Sequence, residues 1–186
     1  MVVKQKQQRR KKVDWLRAAF QAFEAEGVDG VRVERLARDL NVSKSGFYWH
    51  FRDRAQLYDE MLELWEQEST NVVTESVELA ALDPADRLLR AAHLILEEDL
   101  GRMDLYFRAW AQHCPEVHAR VNEVYDNRLS WVRQIFRELG FKGDDVEMRA
   151  RLFVAYHAWE QIAFADQSKA QAKRLIKRRV EFFIRP

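Results

Sequence analysis

Only six glycines and three prolines interrupt 186 residues. A chain with so few turn-formers is poorly suited to the many tight reversals of a sandwich or a barrel, and the same scarcity disfavours a glycine-rich phosphate loop. The expectation is an all-α fold, in one domain or two small ones with room for a real core. The single Cys114 excludes an internal disulfide framework and a multi-cysteine zinc site, and fits a reducing compartment. Around the most apolar segment, Leu152 to Trp159, the charge-free stretch falls far short of the ~20 residues that cross a bilayer. The basic stretch from Lys4 to Lys12 is not followed by the apolar run of a signal peptide, so a cytoplasmic location without membrane partners is expected.

The formal charge of +1 hides a strong asymmetry. Residues 1–54 carry 13 basic and 7 acidic side chains, residues 55–167 carry 11 and 22, and residues 168–186 carry 7 and 1. Near-neutrality is therefore cancellation between segments. A positive head on a negative body is an arrangement for holding a polyanion at one end.

Apolar periodicity sets out about nine helices. Leu16, Ala19, Phe20 and Phe23 share one face of a first helix that ends near Gly27. Val33, Leu36, Ala37 and Leu40 repeat that spacing in a short second helix stopping at Asn41, a residue that tolerates the left-handed conformation. Ser43 is placed to cap a third helix, and Asp53 with Gln56 forms a capping box for a long fourth. Asp83-Pro84, Cys114-Pro115, Asp144 with Glu147, and Ser168 with Gln171 mark further starts, and one more helix is expected between Gly101 and His113. No run of alternating β-branched residues supports a strand. The expected organisation is a basic arm over 1–12, a short helical domain over 13–54 and a longer helical C-terminal domain over 55–186.

The informative stretch runs from Val33 to Phe51. Two short helices joined by a tight turn need a small residue at their crossing, Ala37, and apolar residues at Leu36, Leu40, Val42 and Phe47 to hold the angle. This is a helix-turn-helix, whose second helix enters the major groove N-terminus first. Ser43, Lys44, Ser45 and Gly46 then lie at its leading end, where hydroxyls reach bases or phosphates, an ammonium supplies charge and a glycine admits close backbone approach. Tyr48 and His50 follow one turn later with groups that bond phosphates. Arg54 opens the next helix, at an end that favours anions. Arg32, before the second helix, and Trp49 complete the set expected to face DNA.

The ordered set Leu36-Ala37, Val42-Ser43-Lys44 and Tyr48-Trp49-His50-Phe51, followed by Arg54 and Leu57, resembles the TetR family of bacterial transcriptional regulators over about the first 60 residues. The resemblance implies an operator-binding domain of three helices. It also implies a divergent helical C-terminal domain that binds a small effector and dimerises through its last two helices. Two positions depart from the family pattern: Asn41 replaces the usual turn glycine, and Arg32 stands where a capping threonine is common, a loss of about 1 kcal/mol of helix stability.

Beyond Leu57 the helices are rich in aromatics, which taken singly fill cores and taken together suggest an apolar cavity between helices. Trp65, His93, Met103, Phe107, Trp110, Tyr125, Phe153, His157 and Gln161 are the candidate effector contacts. No carboxylate or arginine stands out as isolated in an apolar field, so a small, largely apolar effector is expected. The nearly unbroken Leu152-Phe153-Val154-Ala155-Tyr156-His157-Ala158-Trp159 needs cover on two sides, one of which a second subunit can supply. The last helix sets Leu175, Ile176, Val180 and Phe183 against a basic face that neutralises the acidic body. A symmetric dimer presents its reading helices to successive major grooves about 34–36 Å apart, so the operator is expected to be palindromic.

A catalytic alternative finds little support. Cys114 and His113 are adjacent, so they point about 100° apart on a helix, and Pro115 makes Cys114 a helix-start position. His93 and Glu97 are two ligands without a third. No cofactor, metal or catalytic residue is assigned. The expected function is a sequence-specific repressor released by a small molecule, and the alternative is a DNA-binding dimer that has no effector.

Overall fold

The computed structural model describes residues 10–164 and 166–185, with the backbone alone at Gln161 and Ile162. The described residues contain helices and no strand. They are α1 (Lys12–Glu26), α2 (Val33–Asp39), α3 (Ser45–Tyr48), α4 (Arg54–Glu66), α5 (Val72–Thr74), α6 (Val77–Ala80), α7 (Pro84–Glu97), α8 (Asp104–Ala111), α9 (Pro115–Glu138), α10 (Asp144–Ala163) and α11 (Lys169–Ile184). A π-helical turn, Gln67–Asn71, joins α4 to α5. If that interrupted run is taken as one helix and the single turn α6 is set aside, the described residues form nine helices.

The chain divides into two compact units, the first ending at Leu64 and the second beginning at Trp65. The division falls within α4, ten residues beyond the expected boundary at 54/55, because Leu57, Met61 and Leu62 on its first turns are buried.

The N-terminal unit is built on α1, which buries Trp15, Leu16, Ala19, Ala22 and Phe23. It ends at Gly27, where φ is 68° and the amide donates to the Phe23 carbonyl at 2.8 Å. A single 3₁₀ turn, Val28–Gly30, then folds the chain back onto α1. A Cβ at Gly30 would lie 2.7 Å from the Ala22 carbonyl oxygen and 2.8 Å from the Glu26 Cβ, so the absence of a side chain there permits the return. Asn41 ends α2 at a φ of 54°, the left-handed conformation expected of it.

Several cap details differ from expectation. Lys44 rather than Ser43 precedes α3, with no side-chain cap, and the Ser43 hydroxyl instead pairs with that of Ser45 at 2.7 Å. Asp53 accepts from the Gln56 amide at 2.8 Å as predicted, but the Gln56 side chain reaches back to the amide of Arg52. Gly143 rather than Asp144 caps α10. The Ser168–Gln171 box is complete.

In the C-terminal unit α9 packs against α7, α8 and α10, while α11 packs against α7. Ala172, Ile176, Val180 and Phe183 form the buried stripe of α11. Leu175 is not part of it and is exposed, because neighbours on a helix lie about 100° apart. A bidentate pair joins α11 to α10: Arg179 meets Glu160 at 2.8 and 2.5 Å, and its guanidinium lies 4.1 Å from the centre of the Tyr156 ring. Arg133 and Arg151 both grip Glu147 and hold its carboxyl down at about 2. Arg87 binds Glu138 and the carbonyl of Leu82, which closes α6, α7 and α9 on one another. No described helix is long and apolar enough to cross a membrane.

Gly30→Ala forces the 3₁₀ turn off α1 and is expected to cost about 1–3 kcal/mol, read as a lower urea midpoint; an unchanged midpoint would contradict the close approach.

Candidate nucleic-acid interface and effector cavity

The helix-turn-helix is fixed from beneath by aromatic packing. Phe47, fully buried, meets Trp15 edge-on at 5.6 Å and stacks on Phe51 at 5.0 Å. Leu36 and Ala37 are buried beside them, whereas Leu40 and Val42 are half-buried. With Phe47 pointing inward, the opposite side of the segment faces solvent. Ser43, Lys44, Ser45, Tyr48 and Trp49 are all exposed there, Tyr48 by 62% and Trp49 by 71%. Two large aromatics left in water beside hydroxyls and an ammonium form a surface that suits a polar, stacking partner.

Several of the expected DNA-facing groups already have partners within the unit. Lys44 Nζ lies 2.6 Å from Glu34 and holds that carboxyl below its ordinary value, chiefly through the hydrogen bond. His50 donates from Nε2 to the carbonyl of Arg10 at 2.9 Å, and the Arg10 guanidinium donates to the carbonyl of Leu40 at 3.2 Å. His50 thus anchors the start of α1 to the reading segment, a role the sequence did not suggest. Arg32 donates to the Asp29 carbonyl at 2.7 Å, and Arg54 lies over the Tyr58 ring at 5.5 Å. A Cβ added to Gly46 would stand 3.4 Å from the Trp15 ring, so its backbone is near α1. The basic arm expected over 1–12 lies mostly outside the described residues; of it, Arg10 makes the contacts just given and Lys12 pairs with Glu60 at 2.6 Å.

The C-terminal unit contains a buried charge pair that sequence reasoning missed. Asp104 is fully buried. Its carboxylate accepts from Trp65 Nε1 at 3.0 Å, from the Tyr125 hydroxyl at 2.9 Å, and from Arg128 at 2.5 and 3.2 Å. Arg128 spends its remaining reach on the π turn, donating to Thr70 at 2.8 Å and Ser69 at 2.9 Å. Burial alone would lower the pKa of Arg128, but the attraction of Asp104 and its hydrogen bonds outweigh that and hold it above the ordinary value. Tyr125 is pushed up to about 12 by burial and by the same carboxylate. The expectation that no carboxylate or arginine sits in an apolar field is therefore corrected. Asp104 and Arg128 lie 24 residues apart in sequence, and no spacing rule links them.

Beside this pair is a cavity of about 50 Å³ lined by Thr70, Val73, Thr74, Ile95, Leu100, Asp104, Arg128, Trp131, Val132, Phe153, Val154 and His157, among others. Of the nine expected effector contacts, Phe153 and His157 line it. Trp65, Phe107 and Tyr125 are drawn together next to it, Trp65 stacking on Phe107 at 4.6 Å while it and Tyr125 bind Asp104. Met103 and Trp110 are half-buried at the two ends of α8. His93 is half-buried on α7, one turn before Glu97, whose carboxylate is held by Lys173 at 2.6 Å. The Gln161 side chain lies outside the described residues. His157 Nδ1 donates to the Phe153 carbonyl at 2.8 Å, and burial pushes the imidazole down to about 4, so the ring is neutral. Among the described residues no group of three or more His, Cys, Asp or Glu is placed to hold a metal ion.

These two units define a helix-turn-helix protein with a separate helical body. Residues 16–61 match the family model for bacterial regulatory proteins of the tetR family. The HTH-type transcriptional regulator AcrR of Shigella flexneri is 30% identical over 73 residues, a match covering 39% of this chain and 33% of that protein, so it spans about a third of the relative's length. A transcriptional regulator from Rhodococcus sp. Rha1 shares the fold, with a TM-score of 0.73 at 18% identity over 94% of this chain and 96% of that one. So does FadR from Bacillus subtilis, solved with stearoyl-CoA, with a TM-score of 0.69 at 15% identity over 94% and 98%. The helix-turn-helix is thus similar to that of the tetR family, and the chain as a whole shares the fold of these solved structures.

Asp104→Asn leaves the buried Arg128 uncompensated and is expected to cost about 3–5 kcal/mol, whereas the double variant Asp104→Leu, Arg128→Met costs less than the single one. Urea denaturation of both measures this, and an additive double variant would contradict the pairing.

Proposed function

We propose that the protein is a cytoplasmic, sequence-specific DNA-binding regulator that represses transcription as a homodimer and is released from its operator by a small molecule. The observation that carries the first part is the exposed row of Ser43, Lys44, Ser45, Tyr48 and Trp49 held on a helix-turn-helix by the buried Phe47. Arg32, His50, Arg54 and the basic arm extend that surface with groups suited to phosphates. Binding exchanges the Lys44–Glu34 pair for a Lys44–phosphate pair, so Glu34 opposes DNA binding.

Dimerisation is supported by the outer side of the last two helices. Met148, Leu152, Ala155 and Trp159 recur on one face of α10 at i, i+4, i+7 and i+11. Met148 and Leu152 are 60% and 51% exposed, and Leu175 and Phe182 of α11 are 39% and 73% exposed. An apolar face of this length is the kind that a second copy covers in a two-fold pair, and such a pair reads an inverted repeat.

The cavity beside Asp104–Arg128 is the proposed effector site. An effector that favours a dimer whose reading segments no longer match successive grooves would lower operator affinity, and a 100-fold preference between the two states corresponds to about 2.7 kcal/mol. The small volume of the cavity favours one second reading, a regulator without an effector; stabilisation by a small molecule separates the two.

Selection from a random duplex pool is expected to enrich inverted repeats, and failure to enrich any sequence would overturn the reading. On a selected duplex, Lys44→Ala should weaken binding and reduce the slope of log K against log salt by about 0.9 for each phosphate that the ammonium neutralises, while Glu34→Gln should strengthen binding severalfold. In sedimentation the wild-type chain should be a dimer at micromolar concentration and Leu152→Lys with Phe182→Lys a monomer; a wild-type monomer would remove the dimer.

A further inference from the structure

The cavity carries an unbalanced polar group. His157 is 6% exposed, its Nδ1–H is committed to the Phe153 carbonyl, and its Nε2 has no partner. In a neutral imidazole whose Nδ1 bears the proton, Nε2 is a bare acceptor. The hydroxyl of Thr74, which also lines the cavity, is buried and without a partner. Apart from the side chains of the Asp104–Arg128 network, the rest of the lining, including Val73, Ile95, Leu100, Trp131 and Val154, is apolar. An unmet buried acceptor loses free energy that an arriving donor restores.

Charge is excluded by the neighbours. Arg128 faces the cavity, but it is already paired with Asp104 and four of its five N–H bonds go to Asp104, Thr70 and Ser69, so an anion finds no unpaired cation and would meet the Nε2 lone pair. Asp104 is saturated by Trp65, Tyr125 and Arg128, so a cation finds no carboxylate to pair with. Burying either charge without a partner is costly.

We infer that the cavity admits an uncharged hydroxyl compound, a short alcohol or a phenol, whose O–H donates to His157 Nε2 while its oxygen accepts from Thr74 and its carbon part meets the apolar wall. This inference rests on the proposed effector site and names its ligand class. A hydroxyl is the group that both donates and accepts through one atom. The volume of about 50 Å³ suits a few heavy atoms, and larger members of the class enter only as the side chains yield.

The test uses the full chain and a graded series from methanol through 1-butanol to phenol and 4-methylphenol, with anisole and benzoate as matched probes lacking the donor or carrying charge. Thermal unfolding and the ¹⁵N resonances of His157 are read together. The expected result is a rise in Tm and an upfield shift of the acceptor Nε2 with one or more hydroxyl compounds, little effect of anisole and benzoate, and at least a tenfold loss of affinity in His157→Phe. Thr74→Val, a milder change, should weaken binding several-fold with the fold intact. Benzoate binding as well as phenol, no response anywhere in the hydroxyl series, or unchanged affinity in both variants would overturn the inference. Operator affinity separates it from the broader reading: hydroxyl binding through His157 with DNA binding unchanged supports the ligand class and removes the effector role, whereas DNA release by benzoate does the reverse.

Discussion

A single carboxylate organises the C-terminal unit. Asp104 accepts from side chains on α4 and α9 and, through Arg128, fixes the π turn between α4 and α5. A buried charge is tolerable only when its lone pairs are met, and here four N–H or O–H donors meet them. The consequence is geometric. Apolar side chains could fill the same space in several ways, whereas the directions of these hydrogen bonds limit how Trp65, α8 and α9 can meet within the C-terminal unit. The π turn belongs to this arrangement, since its extra residue per turn brings Ser69 and Thr70 to the guanidinium, and such turns recur where helices serve a site.

The reading segment follows a different rule. Its underside is apolar and closed by Trp15, Phe47 and Phe51, while its outer polar groups are satisfied by neighbours in the same unit. Lys44 rests on Glu34, Arg32 on a carbonyl, and His50 on the backbone of Arg10. Exposed ion pairs contribute little to stability, so such a pair opens at small cost when a phosphate competes. The His50 contact is local and structural, linking the start of α1 to the end of α3, which makes the imidazole a positioning group at the edge of the surface.

Much of this was legible in the sequence. The spacing of Leu16, Ala19 and Phe23 and the Gly27 stop locate α1; Leu36, Ala37, Asn41 and Phe47 locate the helix-turn-helix; and Ser168 with Gln171 locates the start of α11. These are local signals, each decided within a turn or two of helix. The Asp104–Arg128 pair was not legible, because a polar residue flanked by apolar ones looks the same whether it faces water or a partner 24 positions away. The π turn left no mark in composition, and Leu175 was placed with Ile176 although adjacent residues cannot share a narrow stripe. Of the aromatic set, Phe153 and His157 reach the cavity wall, whereas Trp65 and Tyr125 are spent on the carboxylate, a division that depends on long-range contacts.

The exposure of Trp49 has an optical consequence. Of the six tryptophans, Trp15 and Trp65 are buried, Trp110, Trp131 and Trp159 are half-buried, and Trp49 is 71% exposed. Its indole therefore emits from water, at longer wavelength than the others, and stands on the surface where a duplex would lie. The chain carries a native fluorophore at its reading segment, so occupancy of that surface can be followed as quenching of the red edge of its emission with no label attached.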